Sequence, residues 1–130
     1  MDLSSNISPA ITLSPAARTA AANGTTVDLA GYTGATAVVT SGTITDGTTY
    51  TFELQESDNA SDWTAVADAD LIGTEPAFAA ADDNVVKRVG YRGRARYLRL
   101  SLATATGSPS TGGVFAAVIL RSGARVGPQA

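Results

Sequence analysis

The sequence predicts an all-β protein, an antiparallel β-sandwich of the jelly-roll or immunoglobulin-like kind. Thr, Val, Ala and Gly are abundant, whereas runs of Glu, Lys, Leu and Gln that favour helices are missing. Several segments alternate apolar and polar residues with a period of two, and short turn-forming stretches separate them. At 130 residues the chain is most simply one domain that can bury a sizeable core.

The N-terminal region is expected to differ from the rest of the chain. Residues 1–24 contain two Ser-Pro pairs and end at an Asn-Gly turn, which predicts an extended N-terminal arm. This arm is either a loosely packed terminus or a segment that orders against a neighbouring subunit. Residues 25–122 are assigned to the sandwich domain, and residues 123–130 to a flexible C-terminal tail.

Seven or eight strands are expected within the sandwich domain. The first three are TTVDLA, ATAVVTSGTI and TYTFELQES, and an Asp-Gly hairpin turn at Asp46 and Gly47 joins the last two. The turn DNASD then leads to the strand WTAVADADLI, and the looser stretch GTEPAFAAADDN leads to VVKRVGY. A short RGR turn precedes ARYLRLSLAT, and the loop GSPSTGG precedes VFAAVILRS.

The alternation also assigns side chains to the two sides of each strand. VFAAVILRS is apolar in both phases, which predicts a central strand covered on both faces. Trp63 is predicted to lie in the core or at its edge, with a sugar-stacking platform as the alternative. Two sets of residues are predicted to share a side of their strand: Tyr50, Phe52 and Leu54, and Leu98, Leu100 and Leu102, the latter facing inward.

Charge is divided unevenly along the chain. Residues 1–83 hold twelve acidic residues and one basic residue, giving −11, and residues 84–130 hold eight basic residues and no acid, giving +8, which sums to −3. Six of the nine basic residues lie in KRVGYRGRARYLRL, residues 87–100. Lysine occurs once, and a net acidic chain attracts polyanions poorly, so these arginines are predicted to meet carboxylates rather than nucleic-acid phosphates.

The carboxylates that meet the arginines lie either within the same fold, on adjacent strands, or on another chain. Both arrangements use the bidentate pairing that guanidinium and carboxylate groups favour. The candidate protein interface consists of four basic residues, Arg92, Arg94, Arg96 and Arg99, and four acidic residues, Glu53, Glu56, Asp58 and Asp62.

Several kinds of chemistry are excluded or disfavoured by composition. Cys and His are absent, so disulfides, thiolate metal sites and Ser–His or Cys–His catalysis are excluded. The acids of DNASD and DADLIGTE do not follow the twelve-residue calcium-loop pattern and are expected to be solvated. We expect no enzymatic activity, no cofactor and no metal. No apolar run approaches the roughly 18 residues of a membrane span, and the N-terminus does not resemble a signal peptide.

Two segments resemble a group of small virion proteins from tailed bacteriophages and prophages: TYTFELQESDNASDWTAVADADLIG and VVKRVGYRGRARYLRLSLATATGSPSTGGVFAAVIL. In that group a strand ending in QESD leads to a W/Y-T-x-V strand. A later GY-x-G-x-x-RY-x-R segment leads to a TGG turn and a final apolar strand. The resemblance covers residues 25–121.

This resemblance implies a capsid decoration or cement protein that stabilises the shell by bridging subunits of the major capsid protein. The protein would be made in the host cytoplasm, lie on the capsid surface of the virion, and form a homo-dimer or homo-trimer. Neither nucleic acid nor a membrane is expected as a partner. A head–tail joining or tail protein of the same virus is an alternative.

A second resemblance points to a different function. LQESDNASDWTAV and ARYLRL are similar to segments of jelly-roll sugar-binding modules of the discoidin type. In those modules a strand–turn–Trp hairpin precedes an R-Y-[VL]-R-[LI] strand. The implied alternative is a carbohydrate-binding module displayed on the virion.

Overall fold

The computed structural model describes residues 7–123, which form two packed antiparallel sheets. The strands are β1 (Ile7–Arg18), β2 (Val27–Asp28), β3 (Gly34–Ile44), β4 (Thr49–Ser57), β5 (Thr64–Ala65), β6 (Leu71–Ile72), β7 (Ala77–Ala79), β8 (Val86–Tyr91), β9 (Tyr97–Ala105) and β10 (Gly113–Ser122). The first sheet has the order β1-β10-β3-β8-β6. The second has the order β2-β9-β4-β5, with β7 also paired to β4. The predicted antiparallel β-sandwich is confirmed.

The residues predicted to share a side of β4 and of β9 all face the core. Tyr50, Phe52 and Leu54 are at most 1% exposed, as are Leu98, Leu100 and Leu102. Period-two alternation therefore located the inner face of the second sheet correctly.

One aromatic ring of the first sheet packs against three rings of the second. The Phe115 ring centroid lies 5.0 Å from that of Tyr50, 5.2 Å from that of Phe52 and 5.3 Å from that of Phe78. The ring planes are tilted or edge-to-face, which is the arrangement that aromatic quadrupoles favour. All four rings are fully buried. This aromatic cluster forms the centre of the core.

The N-terminal region contributes a strand that the sequence analysis assigned to an arm. β1 pairs with β10 from Ile7 opposite Ser122 to Arg18 opposite Gly113. β1 is an edge strand that contains Pro9 and Pro15, and its register is interrupted by two bulges. The sandwich therefore includes residues 7–18 of this chain. Residues 1–6 of the predicted arm and residues 124–130 of the predicted tail lie outside the described residues.

β1 and the segment that follows it complete the edge of the second sheet beside β9. The Thr12 hydroxyl accepts a hydrogen bond from the Leu100 N–H (3.1 Å) and donates one to the Thr25 carbonyl (2.9 Å). Ala22 and Leu102 exchange two backbone hydrogen bonds. The backbone groups that β9 would otherwise leave unpaired are thereby satisfied within the chain.

Two predicted local structures differ from the observed ones. Asp46 and Gly47 form a turn, but β3 belongs to the first sheet and β4 to the second, so the turn is a crossover and not a hairpin. The predicted strand WTAVADADLI is broken into β5, a 3-10 helix at Asp68–Asp70, and β6. Its Ala and Asp residues have low β-propensity, and β5 and β6 belong to different sheets.

β10 has the predicted central position, between β1 and β3. Its inward residues Phe115, Ala117 and Ile119 are buried. The alternate residues Val114, Ala116, Val118 and Leu120 face outward, and Val114 is 38% exposed. The prediction that this strand is covered on both faces is therefore wrong for residues 7–123, which do not cover the second face.

The Asp46 carboxylate organises the loop that precedes β10. It accepts hydrogen bonds from the backbone N–H groups of Ser110, Thr111 and Gly112 and from the Ser110 hydroxyl, at 2.6–3.1 Å. These bonds favour the ionised form, and they lower the pKa of Asp46 from 3.8 to about 2. The crossover turn and the loop are thus joined by one charged group.

We expect this carboxylate to make stability depend on pH below 4. Because its folded-state pKa is depressed, its contribution is present above the unfolded value of 3.8 and is lost as pH falls toward about 2. Thermal unfolding of the wild type and Asp46→Asn should differ at pH 7 and converge toward pH 2. A difference in melting temperature that stays constant from pH 7 to pH 2 would contradict this assignment.

Candidate protein-interface site

Three of the four predicted interface arginines lie in the loop 92–96, which we call the arginine loop. It connects β8 of the first sheet with β9 of the second. The Arg92 N–H donates to the Asp70 carbonyl (2.9 Å), and the Arg96 carbonyl accepts from the Leu29 N–H (2.7 Å). Backbone contacts from two other segments therefore fix both ends of the loop.

Tyr91 supports the arginine loop from beneath. Its side chain is 5% exposed, and its hydroxyl donates to Glu56 Oε1 at 2.6 Å. The Tyr91 hydroxyl oxygen also accepts a hydrogen bond from the Ala95 N–H at 3.0 Å. Burial, together with the hydrogen bond to Glu56, raises the pKa of Tyr91. Gly93 passes so close to this hydroxyl that a Cβ there would collide with it. Tyr91 on the first sheet and Glu56 on the second thus position the loop.

Arg96 forms an ion pair within the chain, but with a carboxylate outside the predicted set. Its Nε donates to Asp28 Oδ1 and its Nη2 to Asp28 Oδ2, both at 3.1 Å. This bidentate hydrogen bonding lowers the pKa of Asp28. Because both side chains are about half exposed, the pair contributes little to stability.

Arg99 lies away from the arginine loop, on the outer face of the second sheet. Its Nε donates to Gln55 Oε1 at 2.7 Å, and its guanidinium carbon lies 4.3 Å from the centroid of the Trp63 ring. Trp63 is half-buried and belongs neither to the core cluster nor to the apolar residues packed against it, so the prediction that it lies in the core or at its edge is wrong. The cation–π contact with Arg99 takes the place of core packing for this ring.

Arg92 and Arg94 are exposed and line a groove of about 530 Å³ with three of the four predicted acids, Glu56, Asp58 and Asp62. Within residues 7–123 the ion pairs are Arg96–Asp28 and Lys87–Asp82, so neither Arg92 nor Arg94 has a carboxylate at ion-pair distance. The structure brings these predicted residues together without pairing them.

The fourth predicted acid does not take part in this groove. Glu53 lies opposite Ser101 on the outer face of the second sheet and accepts a hydrogen bond from Gln55 Nε2 at 2.8 Å. Asp70, which was not among the predicted site residues, lines the groove instead. The 3-10 helix at Asp68–Asp70 brings it there, and no local pattern in the sequence indicates that helix.

A second groove, of about 540 Å³, lies on the other side of the arginine loop. Its walls are the segment 29–35, Tyr91 and residues 93–96, so Arg94 lines both grooves. Tyr32 in this wall lies beneath the Arg121 guanidinium, whose carbon is 4.7 Å from the ring centroid. Arg94 is therefore the central charged side chain at this end of the sandwich.

Residues 7–123 contain no group of three or more acidic side chains placed to hold a metal ion. None of their helices is long and apolar enough to cross a membrane. Of the predicted interface residues, Arg92 and Arg94 share a groove with Glu56, Asp58 and Asp62 and have no ion pair within residues 7–123.

We expect Tyr91→Phe to loosen the arginine loop. The change leaves the Ala95 N–H without its acceptor and a partly buried Glu56 oxygen without its donor, which should lower the free energy of unfolding by about 1–3 kcal/mol. Amide hydrogen exchange at Ala95 should accelerate in the same variant.

Tyr97→Phe is the matched control, because no hydrogen bond joins the Tyr97 hydroxyl to another residue of the range 7–123. Denaturant unfolding compares the two variants with the wild type. An equal loss of stability in both would show that the Tyr91 hydroxyl has no special role.

Comparison with protein-family models, curated proteins and solved structures gives no match for this chain. The resemblance to phage virion proteins therefore depends on the quoted motifs, and no residue acquires a role through a matched relative. The described fold and its charged surfaces are the physical basis for the function proposed below.

Proposed function

We propose that the protein is a structural component of a tailed-phage virion that binds the outer capsid surface as a decoration or cement protein. The ordered motifs of residues 25–121 support this function through the resemblance given above. The sandwich supports it as a rigid scaffold whose charged residues lie on its surface. The proposed partner is the major capsid protein.

The observation that carries the proposal is the state of Arg92 and Arg94. Both are exposed at a loop fixed by Tyr91 and by backbone hydrogen bonds, yet neither has a carboxylate at ion-pair distance within the described chain. Guanidinium groups carried on such a fixed backbone can donate to a carboxylate of a neighbouring protein without first breaking an internal pair. Arg96, which is already paired with Asp28, is less suited to this role.

Shell stabilisation follows from mass action. A protein that binds the assembled shell, and not the separated subunits, shifts the equilibrium toward the assembled state. Each copy would bridge adjacent capsid subunits and resist the separation that packaged DNA promotes. Symmetry axes of the shell would favour a homo-dimer or homo-trimer there. The acids Glu56, Asp58 and Asp62 beside the arginines would restrict the orientation of the partner.

Neutralising Arg92 and Arg94, which have no ion pair within residues 7–123, should weaken binding to the shell. We expect Arg92→Gln/Arg94→Gln to lower the affinity for capsids at least about tenfold, because both contacts with capsid carboxylates are lost. Co-sedimentation of purified protein with shells that lack it measures this affinity. Imaging of labelled protein on virions tests the capsid location and separates it from a tail or head–tail joining position.

The controls separate a specific contact from a general effect of charge. Arg94→Gln and Thr104→Glu each lower the net charge by one, but Thr104 is exposed on β9, away from both grooves. Arg94→Gln should weaken binding and Thr104→Glu should not. Equal binding by the wild type and the double variant, or virions that lack this polypeptide, would overturn the proposal.

A carbohydrate-binding module is the second candidate, and the position of Trp63 favours it. The ring lies at the surface of the second sheet and is half-buried, where an indole can stack on a sugar. The Arg99 guanidinium packs on the ring and competes for one of its faces. Glycan-array binding by the wild type that is lost in folded Trp63→Ala would favour this candidate, and an array without binding would exclude it.

A further inference from the structure

The outer face of the first sheet is apolar over most of its extent, and we call it the apolar face. The large hydrophobic residues that are exposed within 7–123 all lie on it, on four different strands: Ile11 at 49%, Ile72 at 52%, Val86 at 65% and Val114 at 38% exposed. Strand register places them on this side, because each alternates with residues that face the core.

The strand register also shows that the apolar face is continuous. One row across the sheet contains Ile11, Val118, Val38 and Arg88 as direct neighbours on β1, β10, β3 and β8. The row on one side of it contains Pro9, Leu120, Thr36, Gly90 and Ile72. The row on its other side contains Ala116, Thr40 and Val86. Val118 and Val38 occupy the centre, on the two central strands.

The outer face of the second sheet has the opposite character. There, Gln55 lies opposite Arg99 and Thr51 opposite Thr104, and Glu53 lies opposite Ser101, which is buried and accepts a hydrogen bond from the Gly24 N–H. An antiparallel sheet exposed to water normally shows such polar outward positions. The departure from this pattern is confined to the first sheet, which identifies its outer face as a contact surface.

The charge on the apolar face favours a second copy of the same chain as the occupant. Among the outward-facing residues that are paired across β1, β10, β3, β8 and β6, Arg88 is the one charged residue. These positions include no carboxylate. A face with so little charge has few groups for selecting a foreign partner by complementarity. Two identical apolar faces related by a two-fold axis are compatible, and Arg88, near the margin, can extend its guanidinium to water.

The size of the apolar face fits a dimer of moderate strength. Four strands spaced about 4.8 Å apart and roughly 30 Å long give about 600 Å² per copy, or about 1,200 Å² for two copies. This total lies at the lower end of the range for specific protein–protein interfaces. Outward Val and Ile side chains also suit sheet-on-sheet packing, in which the facing sheets lie about 10 Å apart.

From these observations we infer that two copies of the chain associate through their apolar faces, with Val118 and Val38 at the centre of a two-fold interface. The dimer is a four-layered stack in which the polar outer faces of both second sheets remain in water. The inference deepens the homo-oligomer included in the proposed function, but its test needs purified protein alone.

Val118→Lys should abolish the dimer. Sedimentation velocity of the wild type should show a dimer that dissociates on dilution, and the lysine should weaken dimerisation at least about 100-fold, because it brings two like charges together at the centre of the interface. Thr104→Lys is the control, since it adds the same charge on the second sheet's outer face and should leave the dimer intact. Circular dichroism and thermal unfolding verify that each variant is folded.

Val86→Lys keeps the inference testable if Val118→Lys fails to fold. Val86 is 65% exposed, so lysine there cannot disturb the core, and it should also weaken the dimer. A wild-type protein that stays monomeric at about 1 mM, or a folded Val118→Lys or Val86→Lys protein that dimerises like the wild type, would overturn the inference. A monomer whose binding to capsids is lost in Val118→Lys would instead assign the apolar face to a foreign partner.

The two proposals can fail separately. A dimer that does not bind capsids would leave the apolar interface standing and remove the virion function. Capsid binding by a strictly monomeric protein would support the virion function and overturn the apolar interface.

Discussion

The contact of Phe115 with Tyr50, Phe52 and Phe78 is the interaction on which the rest of the structure depends. It joins β10 of the first sheet to β4 and β7 of the second, and its rings are completely buried. Because the sheets are held at this point, the loops between them have fixed ends. The arginine loop is one such connection, and Tyr91 with Glu56 repeats the inter-sheet attachment at the margin of the core.

The sandwich presents three different surfaces on one small scaffold. One outer face is polar, the other is apolar, and the end that carries Arg92 and Arg94 has exposed arginines beside carboxylates. The two grooves at this end are open to solvent and flank one loop. Because the three surfaces differ in polarity and charge, each would favour a different kind of contact.

Period-two alternation predicted the inward residues of β4 and β9 because burial on one side of a strand is a local property. Tertiary connections were harder to predict. Asp46 and Gly47 favour a tight turn, but whether the flanking strands pair depends on which sheet each one joins. The Arg96–Asp28 pair joins residues 68 positions apart and depends on how the arginine loop meets the end of β2. Both sets of alternating side chains on β10 are apolar, which predicted that both of its faces are covered. The fold covers only the face that carries Phe115, Ala117 and Ile119.

The construction of β1 limits backbone pairing between copies of this molecule. Proline lacks the N–H group that a neighbouring strand would need, and the two bulges interrupt the flat row of backbone groups along this long margin of the first sheet. At the opposite margin, β6 has two residues, too few to template a long strand. Backbone pairing that would extend the first sheet from copy to copy is therefore disfavoured along the β1 margin.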